Sequence, residues 1–291
     1  MRINTNVSSL VAQEANQNTN KNISGSLEKL STGLAINKAS DDASGLAIAD
    51  KLRTQANGLN QAVSNGNSAV TLTQIADKAM AEQSNILDVV KQKLIQAGTA
   101  TTSSEGIAAI GKDITKLLEQ FNNIANQTTY NGTALLQGAS AGVAGAALTF
   151  QMGTTATDTI KTVAGVQANT SGMTELAAIA TGTSATAFVA TGSASNMQSA
   201  ARDLLANVDS SLTQLNSWRA DFGSTQNQLE SSIRNLMTQV TNTKAAESVI
   251  RDVDYAAESA NFNKQNIISQ AGTYAISQAN STSQNVMRLL Q

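Results

Sequence analysis

Leu215 to Val240 reads LNSWRADFGSTQNQLESSIRNLMTQV. Leu215, Trp218, Phe222, Thr225 and Leu229 recur at 3-4-3-4 spacing, and Leu229, Ile233, Leu236 and Val240 continue as 4-3-4 after one change of phase. A mean period near 3.5 puts these side chains in one stripe of a helix, the pattern that helices share in coiled-coil packing. The chain has 0 prolines, so only scattered glycines interrupt such a helix. Helix is therefore predicted from near Ser195 to about the C-terminus, and the fold class is mainly α.

The pattern recurs upstream. Leu52, Ala56, Leu59, Val63, Gly66 and Val70 form a 4-3-4-3-4 series in a long helix predicted from Gly45 to about Gln96. The Thr- and Ser-rich stretch 98–106 turns the chain into a third helix with Ile110, Ile114, Leu117, Leu118, Phe121 and Ile124, expected to pack antiparallel on the second. Nearer the start, Ile23, Leu27, Leu30 and Leu34 follow 4-3-4 spacing and predict another coiled-coil stripe. Residues 37–42, NKASDD, break it with small polar groups suited to a helix stop and a new N-cap, with Asp41-Asp42 as the capping pair.

Between the helical parts, Tyr130-Asn131-Gly132 carries the Asn-Gly signal of a tight turn. Residues 148–152 and 159–163 alternate at period 2 and predict a small β-hairpin through 153–158. The Gly-, Ala-, Thr- and Ser-rich remainder to about residue 194 predicts an exposed loop. After residue 251 the stripe thins to Ile267, Ala271 and Tyr274, then Val286, Leu289 and Leu290. Apolar side chains this sparse offset little of the entropy of ordering two end segments, so both ends are expected to become ordered only among neighbouring chains.

Composition excludes much else. With 0 cysteines and 0 histidines the chain has no thiol nucleophile, disulfide, imidazole acid-base group or usual zinc ligand set. Asp41-Asp42 reads as a cap rather than a metal site, and Asp252 and Asp254 around Arg251 as a solvated charge cluster. No catalytic, cofactor or metal residue is assigned. A net charge of -2, with acids and bases interspersed, offers no nucleic acid a basic face. No run of about 18 apolar residues predicts a membrane span, and the N-terminus lacks the apolar core of a secretory signal.

Specific motifs go further. Residues 1–6, MRINTN, and 30–50, LSTGLAINKASDDASGLAIAD, closely resemble the N-terminal signature of bacterial flagellins. Residues 247–256, ESVIRDVDYA, together with 270–273, 278–280 and 284–290, resemble that family's C-terminal segment. The likeness covers roughly 1–135 and 195–291. One departure is Ser281-Thr282-Ser283, where relatives often carry a proline.

The resemblance implies a structural subunit, not an enzyme, that self-assembles into the extracellular flagellar filament used for swimming. It implies terminal helices over 1–44 and 251–291 that pair and form the inner tube, a helical rod over 45–135 and 195–250, and a hairpin with a variable loop over 136–194. Implied self-assembly residues are Ile23, Leu27, Leu30, Leu34, Ile267, Tyr274, Val286, Leu289 and Leu290. Implied partners are further copies or sister flagellins, an export chaperone, a filament cap and hook-filament junction proteins, with passage through the type III export channel. A junction protein is the nearest rival, but it resembles flagellins only loosely at its ends. A flagellin carrying a zinc peptidase needs His-Glu-x-x-His, which a chain without histidine cannot supply.

The resemblance also marks residues 87–96. Flagellins strongly recognised by the animal toll-like receptor carry arginines, a glutamate and a leucine there, where this chain has Val89, Lys91, Gln92 and Lys93. Lysine lacks the planar, bidentate donor set of arginine, so weak receptor recognition is expected.

Overall fold

The computed structural model describes residues 5–138, 143–173, 176 and 194–289, with side chains left undescribed over 194–197 and 283–289. Among the described residues lie five α-helices: α1 Val7–Thr32, α2 Ala43–Ala97, α3 Ser104–Gln127, α4 Ala194–Arg251 and α5 Tyr255–Leu289. Between α3 and α4 run β1 Thr129–Tyr130, β2 Thr133–Ala134, β3 Thr149–Gln151 and β4 Thr159–Lys161. They pair antiparallel as β1-β2 and β3-β4, the second with Phe150 opposite Ile160. The fold is mainly α, as the periodicity predicts. Two compact units divide the chain: Met1–Asn57 with Gln239–Gln291, and Gly58–Thr238.

The Gly58–Thr238 unit is a bundle of α2, α3 and α4 around one apolar core. The 3-4 stripe of α4 is buried at Ala201, Leu204, Val208, Ser211, Leu215, Trp218, Phe222, Thr225 and Leu229, and Ile107, Ile114, Leu118 and Phe121 of α3 join the same cluster. Both neighbours run antiparallel to α2. Lys93 Nζ meets Asp113 at 3.1 Å while Gln83 meets Phe121, and Asp77 pairs with Arg219 at 3.0 Å while Lys91 pairs with Asp209. Gln83 is a fully buried amide in the stripe of α2. Its Nε2 donates to the carbonyls of Phe121 at 3.1 Å and Ala168 at 2.8 Å, and its Oε1 has no partner. It thus fastens the segment after β4 to α3. Arg202 closes the end of α2, donating from Nε and Nη2 to Gly98 O at 3.2 and 2.9 Å.

In the other unit, α1 ends at Gly33, which takes φ 76° and donates its N–H to Lys29 O. The chain then leaves the helix over 33–42, as the polar run predicts. Leu34 therefore lies outside α1, contrary to its expected place in the stripe, because the left-handed turn at Gly33 redirects the backbone. Leu34 instead forms an antiparallel bridge with Asp252, flanked by Ala35 N–H to Arg251 O at 2.7 Å and Val253 N–H to Gly33 O at 3.0 Å. Buried Ile36 seats on Gly45, where an added Cβ would come within 2.8 Å of Ile36 Cδ1 and closer still to Asp42 Oδ2, so a larger residue there would have to displace both side chains.

The continuous helix expected from Ser195 to the end is broken at residues 252–254, and the physical reason is a cap. Asp254 Oδ1 accepts the N–H groups of Ala256 at 2.9 Å and Ala257 at 3.2 Å and starts α5 afresh. Asp254 is thus an N-cap, not merely a member of a solvated cluster.

Candidate assembly surface

α1 begins at an N-cap, Asn6, whose Oδ1 accepts Ser9 N–H at 3.2 Å while its Nδ2 donates to Ala279 O of α5 at 3.1 Å. The two helices run antiparallel from there. Ser269 Oγ stands 3.2 Å from Asn20 Oδ1, and Asn261 Nδ2 donates to Ser26 Oγ at 3.4 Å. The inward positions of α1 are Ser9, Ala12, Asn16, Thr19, Ile23, Ser26 and Leu30, an unbroken 3-4-3-4-3-4 series. On α5, Phe262, Ser269, Gly272, Ile276 and Ala279 face inward. The seam interleaves Ile23, Leu30, Phe262 and Ile276 with small and amide-bearing side chains, and hydrogen bonds cross it between them.

Apolar side chains are left outside. Leu27 is 55% exposed, Ile267 67% and Tyr274 74%, and Val7, Leu10, Val11 and Tyr255 are each more than half exposed. At 100° per residue, Val7, Leu10 and Val11 stand on the far side of α1 from the seam, as Ile267 and Tyr274 do on α5. The pair differs from a soluble coiled coil, in which the seam takes up the large apolar groups, because many of them stay on its outer faces.

The sequence-derived assembly residues therefore divide. Ile23 and Leu30 belong to the seam, Leu27 stands half exposed at its edge, and Ile267 and Tyr274 face outward. Leu34 lies in the bridge, the side chains of Val286 and Leu289 are not described, and Leu290 falls outside the described residues. Ser9, Asn16, Thr19, Ser26 and Gly272 were missed because the search followed apolar residues. The recurrence of small and amide side chains at the same 3-4 spacing in both ends is the signal that finds them.

Carboxylates fix the joint between α1 and α2. Asp42 Oδ1 accepts Gly45 N–H at 2.9 Å, Ser44 Oγ at 2.8 Å and Ser44 N–H at 3.0 Å, and these bonds, Gly45's first, hold its pKa below the usual carboxylate value. Asp41 is depressed likewise by the N–H groups of Lys38 and Asn37. Lys38 is raised by its hydrogen bond to Glu28 at 2.6 Å. Arg251, mostly covered, lies 3.7 Å from Asp50, and its Nε has no partner.

In the Gly58–Thr238 unit, Leu87, Val90 and Leu94 are buried while Val89 is 39% exposed and Gln92 is exposed. Lys91 and Lys93 are engaged within the chain by Asp209 and Asp113.

Helices whose seam includes amides and hydroxyls, and whose outer faces leave large apolar side chains uncovered, define a structural protein that associates with copies of itself. Known proteins agree with that class. The chain matches the bacterial flagellin N-terminal helical region over residues 3–141 and the C-terminal helical region over residues 205–290. It is 38% identical over 305 residues to the flagellin of Bacillus subtilis (strain 168), and 35% identical over 292 residues to the flagellar filament 30.7 kDa core protein of Treponema maltophilum. Each alignment covers 100% of both chains. A crystal structure of Bacillus cereus flagellin aligns with TM-score 0.47 and 25% identity, covering 63% of this chain and 94% of that one. The chain belongs to the flagellin family, whose members are non-enzymatic structural subunits of the extracellular flagellar filament.

Proposed function

We propose that this chain polymerises through the outward apolar faces of α1 and α5, with residues 1–44 and 251–291 forming the inner tube of the filament and the remaining helices the wall around it. The observation that carries this reading is the apolar surface the pair leaves uncovered: Leu10, Val11, Leu27, Ile267 and Tyr274 are exposed, while the seam is shared between a few apolar side chains and neutral polar groups. A head-to-tail contact that does not close yields an open helix of subunits. The family relation adds export through the type III channel, a chaperone on the C-terminal helix, a distal cap and junction proteins at the hook. Electron microscopy of seeded full-length protein beside a fragment of residues 45–250 tests the reading. Filaments from the full chain and none from the folded fragment are expected, and filaments from both would refute it.

A second reading concerns Val89, Lys91, Gln92 and Lys93. Because Asp209 and Asp113 hold the two lysines and valine donates nothing, this surface offers the toll-like receptor no free cationic fork. Poor activation of receptor-reporter cells by purified monomer is expected, and potency equal to a strongly recognised flagellin would overturn it.

A further inference from the structure

The chain contains three Asn-Gly dipeptides, and the fold treats them differently. Asn57-Gly58 and Asn65-Gly66 lie inside α2, and Asn131-Gly132 forms the turn between β1 and β2. We propose that Asn131-Gly132 is a site of spontaneous deamidation and isomerisation, and that the two helical dipeptides are protected.

The chemistry needs the peptide nitrogen of the following residue to reach the side-chain amide carbon. At the turn, the Gly132 nitrogen bonds to Asn131 Cγ and gives up its proton. The Cγ–Nδ2 bond breaks, ammonia leaves, and a cyclic imide remains. Water then adds to either imide carbonyl and opens the ring to aspartate or isoaspartate. One water is consumed, one ammonia is released, and no oxidation state changes.

Three features favour this at residue 131. Gly132 has no side chain to hinder the approach, and nothing lies within 4 Å of where its Cβ would stand. Both turn residues are exposed, and Asn131 holds φ 49°, the left-handed conformation that asparagine adopts more readily than other non-glycine residues and that a two-residue hairpin turn uses. What holds the turn closed is small: the β1-β2 ladder has two residue pairs, Thr129 with Ala134 and Tyr130 with Thr133. A ladder this short opens locally, and opening releases the backbone into the geometry that cyclisation requires.

In α2, helix geometry engages the Gly58 and Gly66 N–H groups with carbonyls four residues back. The Asn65 side chain is also occupied, donating to Gln151 O at 3.3 Å and accepting from Gln61 at 3.0 Å. Cyclisation there requires opening the middle of a long helix.

Isoaspartate at 131 adds a methylene to the main chain, which a two-residue turn cannot absorb without losing register. Leu135 and Leu136, buried directly after β2, tie that turn to the core, so the change reaches the connection leaving α3.

The test incubates full-length protein at mildly alkaline pH and maps tryptic peptides 54–78 and 117–161, which separate the helical dipeptides from the turn. The expected result is the amide-to-acid mass increment at Asn131 accumulating at least about tenfold faster than at Asn57 or Asn65, with isoaspartate detected by enzymatic methyl labelling of peptide 117–161 and lost in Asn131→Gln. A smaller margin overturns the proposal, as does no increment at Asn131 while a free peptide of residues 128–135 converts completely.

Discussion

Leu215 and Leu27 are the same residue type in opposite settings, and truncating each to alanine separates intramolecular packing from assembly. Leu215 is 0% exposed in the α2-α3-α4 core, where such a truncation costs about 2–5 kcal/mol. At about 2–4 °C per kcal/mol for a unit of this size, a loss near 3 kcal/mol lowers the bundle's melting temperature by about 6–12 °C. The single tryptophan, Trp218, is buried in that core, so its fluorescence reports the bundle alone. Leu27→Ala should leave the Trp218 transition within about 1 °C of the parent protein, since half-exposed sites contribute little. Polymerisation reverses the ranking. Burying the 55% of Leu27 still exposed is worth about 1–1.5 kcal/mol, so its loss raises the critical concentration about five- to tenfold. Leu215→Ala, assayed well below its melting point, should change that concentration less than about twofold. The measurements are a Trp218 melt and the sedimentable fraction after seeding. A critical concentration unmoved by Leu27→Ala would refute the assignment of α1 to the subunit contact.

Backbone amides of α1 and α5 should exchange quickly in dilute monomer and slowly in filament, because neighbouring copies supply the apolar cover these helices lack; slow exchange in the monomer would place their stability inside the chain. Gln83→Met should stay within about 1 kcal/mol of the parent, since losing the donor to Ala168 O is offset by losing the unpartnered Oε1, whereas Gln83→Glu, which sets a carboxylate against two carbonyls, should cost more than about 3 kcal/mol at neutral pH and recover on acidification; the Trp218 melt reads both. The α1–α2 joint should loosen in acid: Asp41 and Asp42 have folded pKa values below their ordinary 3.8, so their contribution is complete above that value and is lost as pH falls through the depressed ones. Protection of the Lys38, Ser44 and Gly45 N–H groups, relative to each one's intrinsic exchange rate, should therefore fall below pH 3.8, and Asp42→Ala should remove that pH dependence at Ser44 and Gly45; Lys38, raised, has the opposite sign and releases Glu28 only as pH rises past 10.5.

The bundle was legible because its helices bury bulky apolar residues at regular spacing, and the series Leu215, Trp218, Phe222, Thr225, Leu229 is the buried stripe of α4. The hairpin was legible too, since alternation at 148–152 and 159–163 is a property of strands whatever surrounds them. The end helices were harder. An apolar stripe marks residues that want to leave water, and in α1 and α5 most of the groups in the intramolecular seam are Asn, Ser, Thr, Ala and Gly, with only Ile23, Leu30, Phe262 and Ile276 among them. Leu27 carried the period but flanks the seam half exposed, and Ile267 and Tyr274 point away from it. The break at 252–254 escaped because Asp254 is equally at home in solvent or at a helix start, and only its bonds to Ala256 and Ala257 decide. Gln83 gave no warning either: it stands in phase with Met80, Leu87 and Val90, but an amide there looks like a gap in the apolar stripe.

The seam between α1 and α5 also decides how the helix pair answers to its medium. α1 carries Glu14, Lys21, Glu28 and Lys29, α5 carries Glu258, Lys264 and Arg288, and among the described residues no ion pair joins the two helices. Dissolved salt weakens attraction between charges, over a Debye length of about 8 Å at physiological ionic strength, but it leaves bonds such as Asn6 to Ala279 and Asn261 to Ser26 with little Coulomb energy to lose. The polar contacts of this pairing, being uncharged, therefore change little in strength between dilute buffer and brine.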